Sequence, residues 1–501
     1  MTISLWGNEA RVKKEKRVSW KKRKKGGDTP MLSPRDRACS RIIEYGILAL
    51  LILTPLPAAS VDEWAVLGIQ LVVLAMLGAY ILMERRPEEN SLFAHALRWP
   101  RFLFVGFFVF LAVQVIPFPR FLVKGLSPQS FAFKESFVPG FSGAKFLSFS
   151  LIPSDTFREG LALLAYVLLG FLVIKTVRER RQIVRLVAVL VGMGVFEALY
   201  GLFELYNKNP RILFYRKIYN LDSASGSFVN RNHFSGYLEM IVPLALGLLI
   251  ARIDLGSLVR MRWRDRLLRL SERGMSANVL LILGVVVMAI AIVFSRSRSG
   301  VFVLVLGFLL MFELAVLYFR RGEERKKGIH VFLVGLFLVI TFVAFYIGID
   351  ATIERFSLDK LLREGRTTYW ANTAELFTEY PLIGTGLGTF PSLYPDREEG
   401  GTLYRLYHTH NDYLEYLSEL GSVGFGLLIG GILFLLVKSF LVWRTRRHPE
   451  VKGLGAGGMV AVVAMLVHSL TDFNLHIPAN MVLFAIVLSL TVVVVFFKKE
   501  K

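Results

Sequence analysis

The sequence predicts an all-α polytopic membrane protein with about twelve transmembrane helices. Three observations carry this: the apolar content, the length of the apolar windows and the placement of the basic residues. Of the 501 residues, 54% are hydrophobic, above the roughly 45–50% usual for soluble domains. Apolar windows at 42–60, 64–83, 100–117, 159–176, 183–204, 232–250, 277–294, 301–319, 330–349, 420–443, 459–477 and 479–497 each approach the ~20 residues that cross a bilayer as a helix. The formal charge of +21 would suit a nucleic-acid partner if the basic residues clustered on one surface. With the N-terminus inside, however, segments 1–41, 84–101, 175–185, 251–276, 320–329, 438–458 and 498–501 hold 42 of the 60 Lys and Arg. That is the positive-inside pattern, so the charge is accounted for by membrane topology and no nucleic-acid partner is implied.

The organisation follows from these windows. Residues 1–41 form a basic cytoplasmic tail, "RVKKEKRVSWKKRKKGG" at its centre, too polar to fold and attracted to anionic membrane lipids. It lacks the short apolar core and small-residue cleavage site of a signal peptide. Helices one to nine occupy 42–349, a large outer loop with short helices 350–412, and helices ten to twelve 413–497. An even number of spans returns the tail 498–501 to the cytoplasm. The single Cys39 excludes an internal disulfide and a cysteine metal cluster. The outer segment 118–158, rich in Phe, Ser, Pro and Gly, reads as an irregular loop dipping into the interface.

Within 350–412, "GRTTYWANTAELFTEYP" predicts a helix over 368–380, with Thr367 or Thr368 capping and Pro381 ending it. "PLIGTGLGTFP" lacks the spacing of a dinucleotide fingerprint and reads as a flexible loop. Asp412 with Glu415 resembles a capping box, which puts His410 just before a helix starting near Tyr413.

Candidate chemistry gathers at the outer ends of the spans. "FSRSRSG" between two spans turns Arg296 and Arg298 outward; such arginines either reach lipid headgroups or serve a bound anion. Ser299 is a good N-cap, so Arg298 lies at the positive end of the next helix, an arrangement repeated by Arg366 and by His410. A cation at a helix N-terminus is unfavourable by roughly 0.3–1 kcal/mol, so three of them suggest that an anion, a phosphate or diphosphate, is expected there. The same field keeps His410 neutral and able to accept a proton from an attacking hydroxyl. His408 reads as an interfacial histidine bonded to a loop carbonyl. A metal held by His408, His410 and Glu415 is the competing arrangement. "HSLTDFNLHIP" places His468, Asp472 and His476 four apart on one helical face, as a helix–helix hydrogen bond, a cavity wall or a second constellation. Asn230, Arg231, Asn232 and His233 start another span, as pocket donors or as its cap.

"SRSG" at a span junction, "GR" before an outer helix carrying Trp370, "GTGLGTF", and "HNDYLE" running into "GSVGFG" together resemble the O-antigen ligase and O-antigen polymerase superfamily, over roughly residues 220–497. The resemblance implies a GT-C-like glycosyltransferase of the bacterial inner membrane that works at the periplasmic face without a metal or other cofactor. Its donor would be an undecaprenyl-diphosphate-linked glycan and its acceptor a glycan or the lipid A core. It implies diphosphate-binding roles for Arg298 and Arg366, with Arg296 as the neighbouring choice, and an essential role for His410, directly before Asn411. The superfamily also contains protein O-oligosaccharyltransferases and proposed bicarbonate carriers. A transporter or anion carrier is therefore the competing class, with Glu197 and Glu204 as its candidate residues inside a span.

Overall fold

The computed structural model describes residues 33–84, 97–207, 211–213, 215–217, 220–252, 273–318, 323–347, 366–397 and 406–496. Most of the basic tail, the end of the ninth window (348–349), part of the large loop (350–365 and 398–405) and the last five residues therefore lie outside the described residues. Among the described residues there are sixteen α-helices. They are α1 (Pro34–Leu53), α2 (Glu63–Leu82), α3 (Arg98–Val115), α4 (Arg120–Leu126), α5 (Pro128–Phe137), α6 (Pro153–Thr176), α7 (Arg180–Asn207) and α8 (Arg231–Arg252). After these come α9 (Arg273–Phe294), α10 (Arg298–Tyr318), α11 (Glu323–Ile347), α12 (Arg366–Glu379), α13 (Phe390–Leu393), α14 (Asp412–Trp443), α15 (Pro449–His468) and α16 (Pro478–Phe496). The sheet content among the described residues is two short antiparallel pairs, Phe118–Pro119 with Phe146–Leu147 and Arg211–Ile212 with Tyr215–Arg216. The protein is an all-α polytopic membrane protein.

Eleven helices (α2, α3, α6 to α11 and α14 to α16) are long and apolar enough to cross a membrane. The twelfth expected span corresponds to α1, but shifted: the helix begins at Pro34, capped by the Ser33 hydroxyl, which accepts from the Asp36 amide. It ends at Leu53 because Pro55 and Pro57 follow and Ala58, Ala59 and Ser60 take left-handed backbone. The window 42–60 thus becomes the apolar half of a helix followed by a turn.

A second correction concerns the window 459–477. The helix there is α15, which starts ten residues earlier and includes the glycine-rich "GLGAGG". A Cβ on Gly453 would lie 2.2 Å from the Gly247 carbonyl oxygen, and one on Gly457 2.3 Å from that of Pro243. These glycines let the α15 backbone lie directly on α8, the small-residue packing that joins helices where lipid supplies no hydrophobic drive. Together α8, α15 and α16 form the centre of the bundle, with 94%, 89% and 94% of their apolar windows buried; α2 and α3, at 28% and 22%, lie outside.

The polar connections around the site collect at one end. Tyr215 bonds Asp62, Arg296 bonds Asp222, Leu151 donates to the Thr385 carbonyl and Ser299 meets Thr471, so turns distant in sequence form one cap. The segment expected as an irregular loop over 118–158 contains α4, α5 and a strand pair, fixed by the buried Lys134, whose ammonium donates to the Ser148 hydroxyl and the Ser150 carbonyl. Burial lowers the Lys134 pKa to about 8.

The loop "PLIGTGLGTF" is pinned, contrary to the expectation of flexibility. Thr385 donates to the Ser418 carbonyl and Gly386 to that of Glu419. Gly384 sits at φ +77°, where a Cβ would come within 2.2 Å of the Glu419 carbonyl oxygen. Gly384→Ala is therefore expected to cost about 1–3 kcal/mol, from strain and overpacking together. A lowered thermal midpoint in detergent measures it.

Candidate functional site

The site is built on the segment 469–473, between α15 and a short 3₁₀ turn at Asn474–His476. Helix α15 ends at His468, so His468, Asp472 and His476 do not share a helical face as expected. Thr471, Asp472 and Phe473 project instead among the N-termini of α8, α10, α12 and α14.

Asp472 is fully buried and is the centre of the arrangement. Its Oδ1 lies 3.2 Å from His410 Nδ1 and 3.5 Å from His233 Nε2; its Oδ2 accepts from the Asn232 side-chain amide and lies 3.9 Å from Arg366 Nη2. Burial opposes its charge, yet the His233 and His410 nitrogens facing it hold its carboxyl well below the usual range. An ionised carboxylate only accepts, so His410 must carry its proton on Nδ1, which leaves the lone pair on Nε2.

His410 is aimed by its backbone. Thr409 is held on one side by the Glu415 carboxylate, which accepts from its amide at 2.8 Å, and by the Thr373 hydroxyl. Asn411 caps α14 on the other side, accepting from the amides of Tyr413 and Leu414. Between these anchors His410 adopts left-handed backbone, φ 55°, a conformation that costs a non-glycine residue about 1 kcal/mol or more. Asn411, rather than Asp412, is thus the cap, and the expected capping box is not formed. Asp412 and Glu415 turn inward: His476 Nδ1 donates to Asp412 Oδ1 at 2.6 Å, and His408 Nδ1 lies 2.7 Å from Glu415 Oε1. Burial opposes charge on His476, but Glu415 and Asp412 push its pKa up to about 10.

The arginines enter from two other helices. Ser297, rather than Ser299, caps α10, accepting from the Gly300 amide at 3.2 Å. Arg298 is the first residue of that helix, and Arg366 the first of α12 rather than a residue before it. Arg366 Nη1 donates to the Thr471 carbonyl at 2.7 Å, while Ser299, next to Arg298, shares a 2.7 Å hydrogen bond with the Thr471 hydroxyl. Both arginines therefore start helices that abut Thr471. Arg296 faces away to Asp222, 2.5 Å distant, and Arg231 lies 3.9 Å from the same carboxylate. Both belong to the rim of the site, with an acidic partner that their own sequence neighbours do not provide.

Asn230 caps α8 by accepting from the Asn232 amide. His468 faces the bundle interior, 2.9 Å from Glu239 of α8, the helix–helix bond that was one of its expected readings. His408 pairs with Glu415 rather than with a loop carbonyl. His233 was expected as a pocket donor or cap, whereas Thr471 and Phe473 were not singled out from the sequence. The Phe473 ring packs against His233 and His408 at 4.4 Å each and against His410 at 4.8 Å. The only signal for Thr471 and Phe473 was adjacency to Asp472.

Residues 283–429, under a third of the chain, match the family described as O-antigen ligase. The chain carries an O-antigen ligase domain. The match supports the resemblance to the O-antigen ligase and polymerase superfamily and, with it, glycan transfer or ligation with lipid-linked glycan and acceptor substrates in general. No curated protein matches the chain. The O-antigen ligase domain runs from within α9 into α14 and so contains Arg296, Arg298, Arg366, His408, His410 and Asn411, whereas Asn232, His233 and Asp472 lie outside the matched stretch.

Proposed function

We propose that the chain transfers or polymerises glycans from an undecaprenyl-diphosphate-linked donor to an acceptor hydroxyl, at the periplasmic face of the bacterial inner membrane. The acceptor is a glycan or the lipid A core. Both termini are cytoplasmic in this reading, as the distribution of basic residues supports. The observation that carries it is the contact of Asp472 with His410, within a ring of helix N-termini that includes those bearing Arg298 and Arg366.

The acceptor hydroxyl gives its proton to His410 Nε2 as its oxygen attacks the anomeric carbon. Asp472 holds the imidazole in the required tautomer and stabilises the imidazolium that forms. The bond between the anomeric carbon and the diphosphate oxygen breaks, and the lipid diphosphate leaves with the electron pair. Arg298 and Arg366, together with the α10 and α12 N-termini, stabilise the growing negative charge. This work requires no metal at the diphosphate. Attack opposite the leaving group inverts the anomeric centre.

The carrier reading would use Glu197 and Glu204. Glu197 accepts instead from the Ser227 amide and hydroxyl, fixing the turn before α8. The polar groups of the site also collect at one end of the bundle rather than at its middle, where a carrier places them.

Asp472→Asn tests the reading. The amide keeps the shape but can present either an acceptor or a donor to His410. Transfer from an undecaprenyl-diphosphate glycan by the purified variant is expected to fall by roughly 10²–10⁴-fold. Unchanged transfer by a folded Asp472→Asn protein would remove Asp472 from the mechanism.

A further inference from the structure

Beside the Asp472 group lies a second cluster that glycan transfer does not use. His408 Nδ1, Glu415 Oε1 and His476 Nε2 all lie within 4.8 Å of one another. His476 and Glu415 are each oriented by a partner on the other side. His476 donates its Nδ1 proton to Asp412, whose second oxygen accepts from the Leu475 amide at 3.0 Å. Glu415 spends Oε2 on the Thr409 amide, leaving Oε1 for the cluster. Such outer hydrogen bonds are what set the tautomer and angle of metal-binding imidazoles and carboxylates.

With its Nδ1 proton donated to Asp412, His476 turns Nε2 into the cluster. That atom is buried without a hydrogen-bond partner and lies 3.4 Å from Glu415 Oε1. The position between these two atoms is filled either by the Nε2 proton of a charged His476 or by a cation in its place. Ligands at about 2.0–2.1 Å from a tetrahedral zinc-class ion stand roughly 3.3 Å apart, which matches the His476–Glu415 separation. The His408–Glu415 pair, at 2.7 Å, opens by roughly half an ångström when the ion replaces the shared proton. The walls are aromatic: Tyr416 stacks on His476 at 4.5 Å and Phe473 on His408 at 4.4 Å.

The geometry points to a divalent transition-metal site, formed by His408, Glu415 and His476 with Asp412 behind it, that braces the histidine segment 408–411 against the 474–476 turn. Two imidazoles and one carboxylate suit a zinc-class cation, and a water completes the coordination at the partly exposed edge of His408. His410 is excluded because its Nδ1 is on Asp472. The "HTH" pair thereby divides: His408 serves the ion and His410 the reaction. The ion sits behind the reacting groups and takes no part in bond breaking. Its presence is independent of which glycan, if any, the chain transfers.

The full-length chain, purified in detergent without a polyhistidine tag and stripped with chelator, is titrated with Co²⁺ alone. The expected result is one Co²⁺ per chain with visible absorption of a four- or five-coordinate centre, displaced by Zn²⁺, and a raised thermal midpoint. His476→Gln and Glu415→Gln should lose the absorption, while His410→Gln should keep it. Absence of stoichiometric Co²⁺ or Zn²⁺ on the wild-type chain would overturn the proposal and assign a proton to the position between His476 and Glu415. Retention of the absorption in a folded His476→Gln protein would overturn it equally.

Discussion

His410→Ala leaves a chain that inserts in the membrane and unfolds at nearly the wild-type temperature, but its glycan transfer falls by roughly 10²–10⁴-fold, the usual contribution of a positioned general base. The physical basis is the left-handed His410 backbone between Thr409 and the Asn411 cap, together with the Asp472 contact that commits Nδ1 and exposes Nε2 as the acceptor. Stability should change little because the ring is partly exposed and the cap belongs to Asn411. Asp472 would lose one of its partners but retain Asn232, His233 and Arg366. Transfer measured with the same donor and acceptor, beside thermal unfolding in detergent, separates the two effects. Full transfer by His410→Ala would show that the proton goes elsewhere.

Arg366→Lys is expected to reduce transfer by roughly 10²–10³-fold, the loss typical when one donor to a developing anion is removed. The guanidinium uses Nη1 on the Thr471 carbonyl while Nη2 lies 3.9 Å from Asp472. A lysine supplies one point charge and cannot keep this geometry while also facing a diphosphate. Arg298→Lys should behave similarly, with the loss appearing in kcat more than in KM if the charge is met chiefly at the transition state. Arg296→Lys should do much less, since Arg296 is held by Asp222 at the rim. Comparing kcat for these three variants orders the arginines by distance from the leaving group.

The helical architecture was legible because apolar length responds to the bilayer rather than to tertiary detail. Each expected window has a long helix. The errors occur where local composition misleads. The glycines of 453–458 fell in the inner segment 438–458, outside the apolar window, but they are the contact between α15 and α8; Pro55 and Pro57 stopped α1 inside a window that hydropathy alone would continue.

At the site, the grouping of Arg298, Arg366 and His410 at helix N-termini could be read from capping residues, although two of the caps belong to other residues, Ser297 and Asn411. What the sequence did not show is that the protein supplies its own anion there. Asp472 comes from a segment 62 residues after His410, and only the folded loop places it among Asn232, His233 and Arg366. Glu415 likewise read as a capping residue, because helix-start chemistry and a buried hydrogen-bond network favour the same residue types.

The most direct measurement incorporates the purified chain into liposomes with an undecaprenyl-diphosphate-linked glycan and an acceptor glycan, and follows release of undecaprenyl diphosphate together with the anomeric configuration of the product. The account predicts release matched one for one by an acceptor extended through an inverted linkage, with the Asp472→Asn and His410→Ala proteins nearly inactive. A donor left intact by active, folded wild-type protein, or a product with retained configuration, would contradict it.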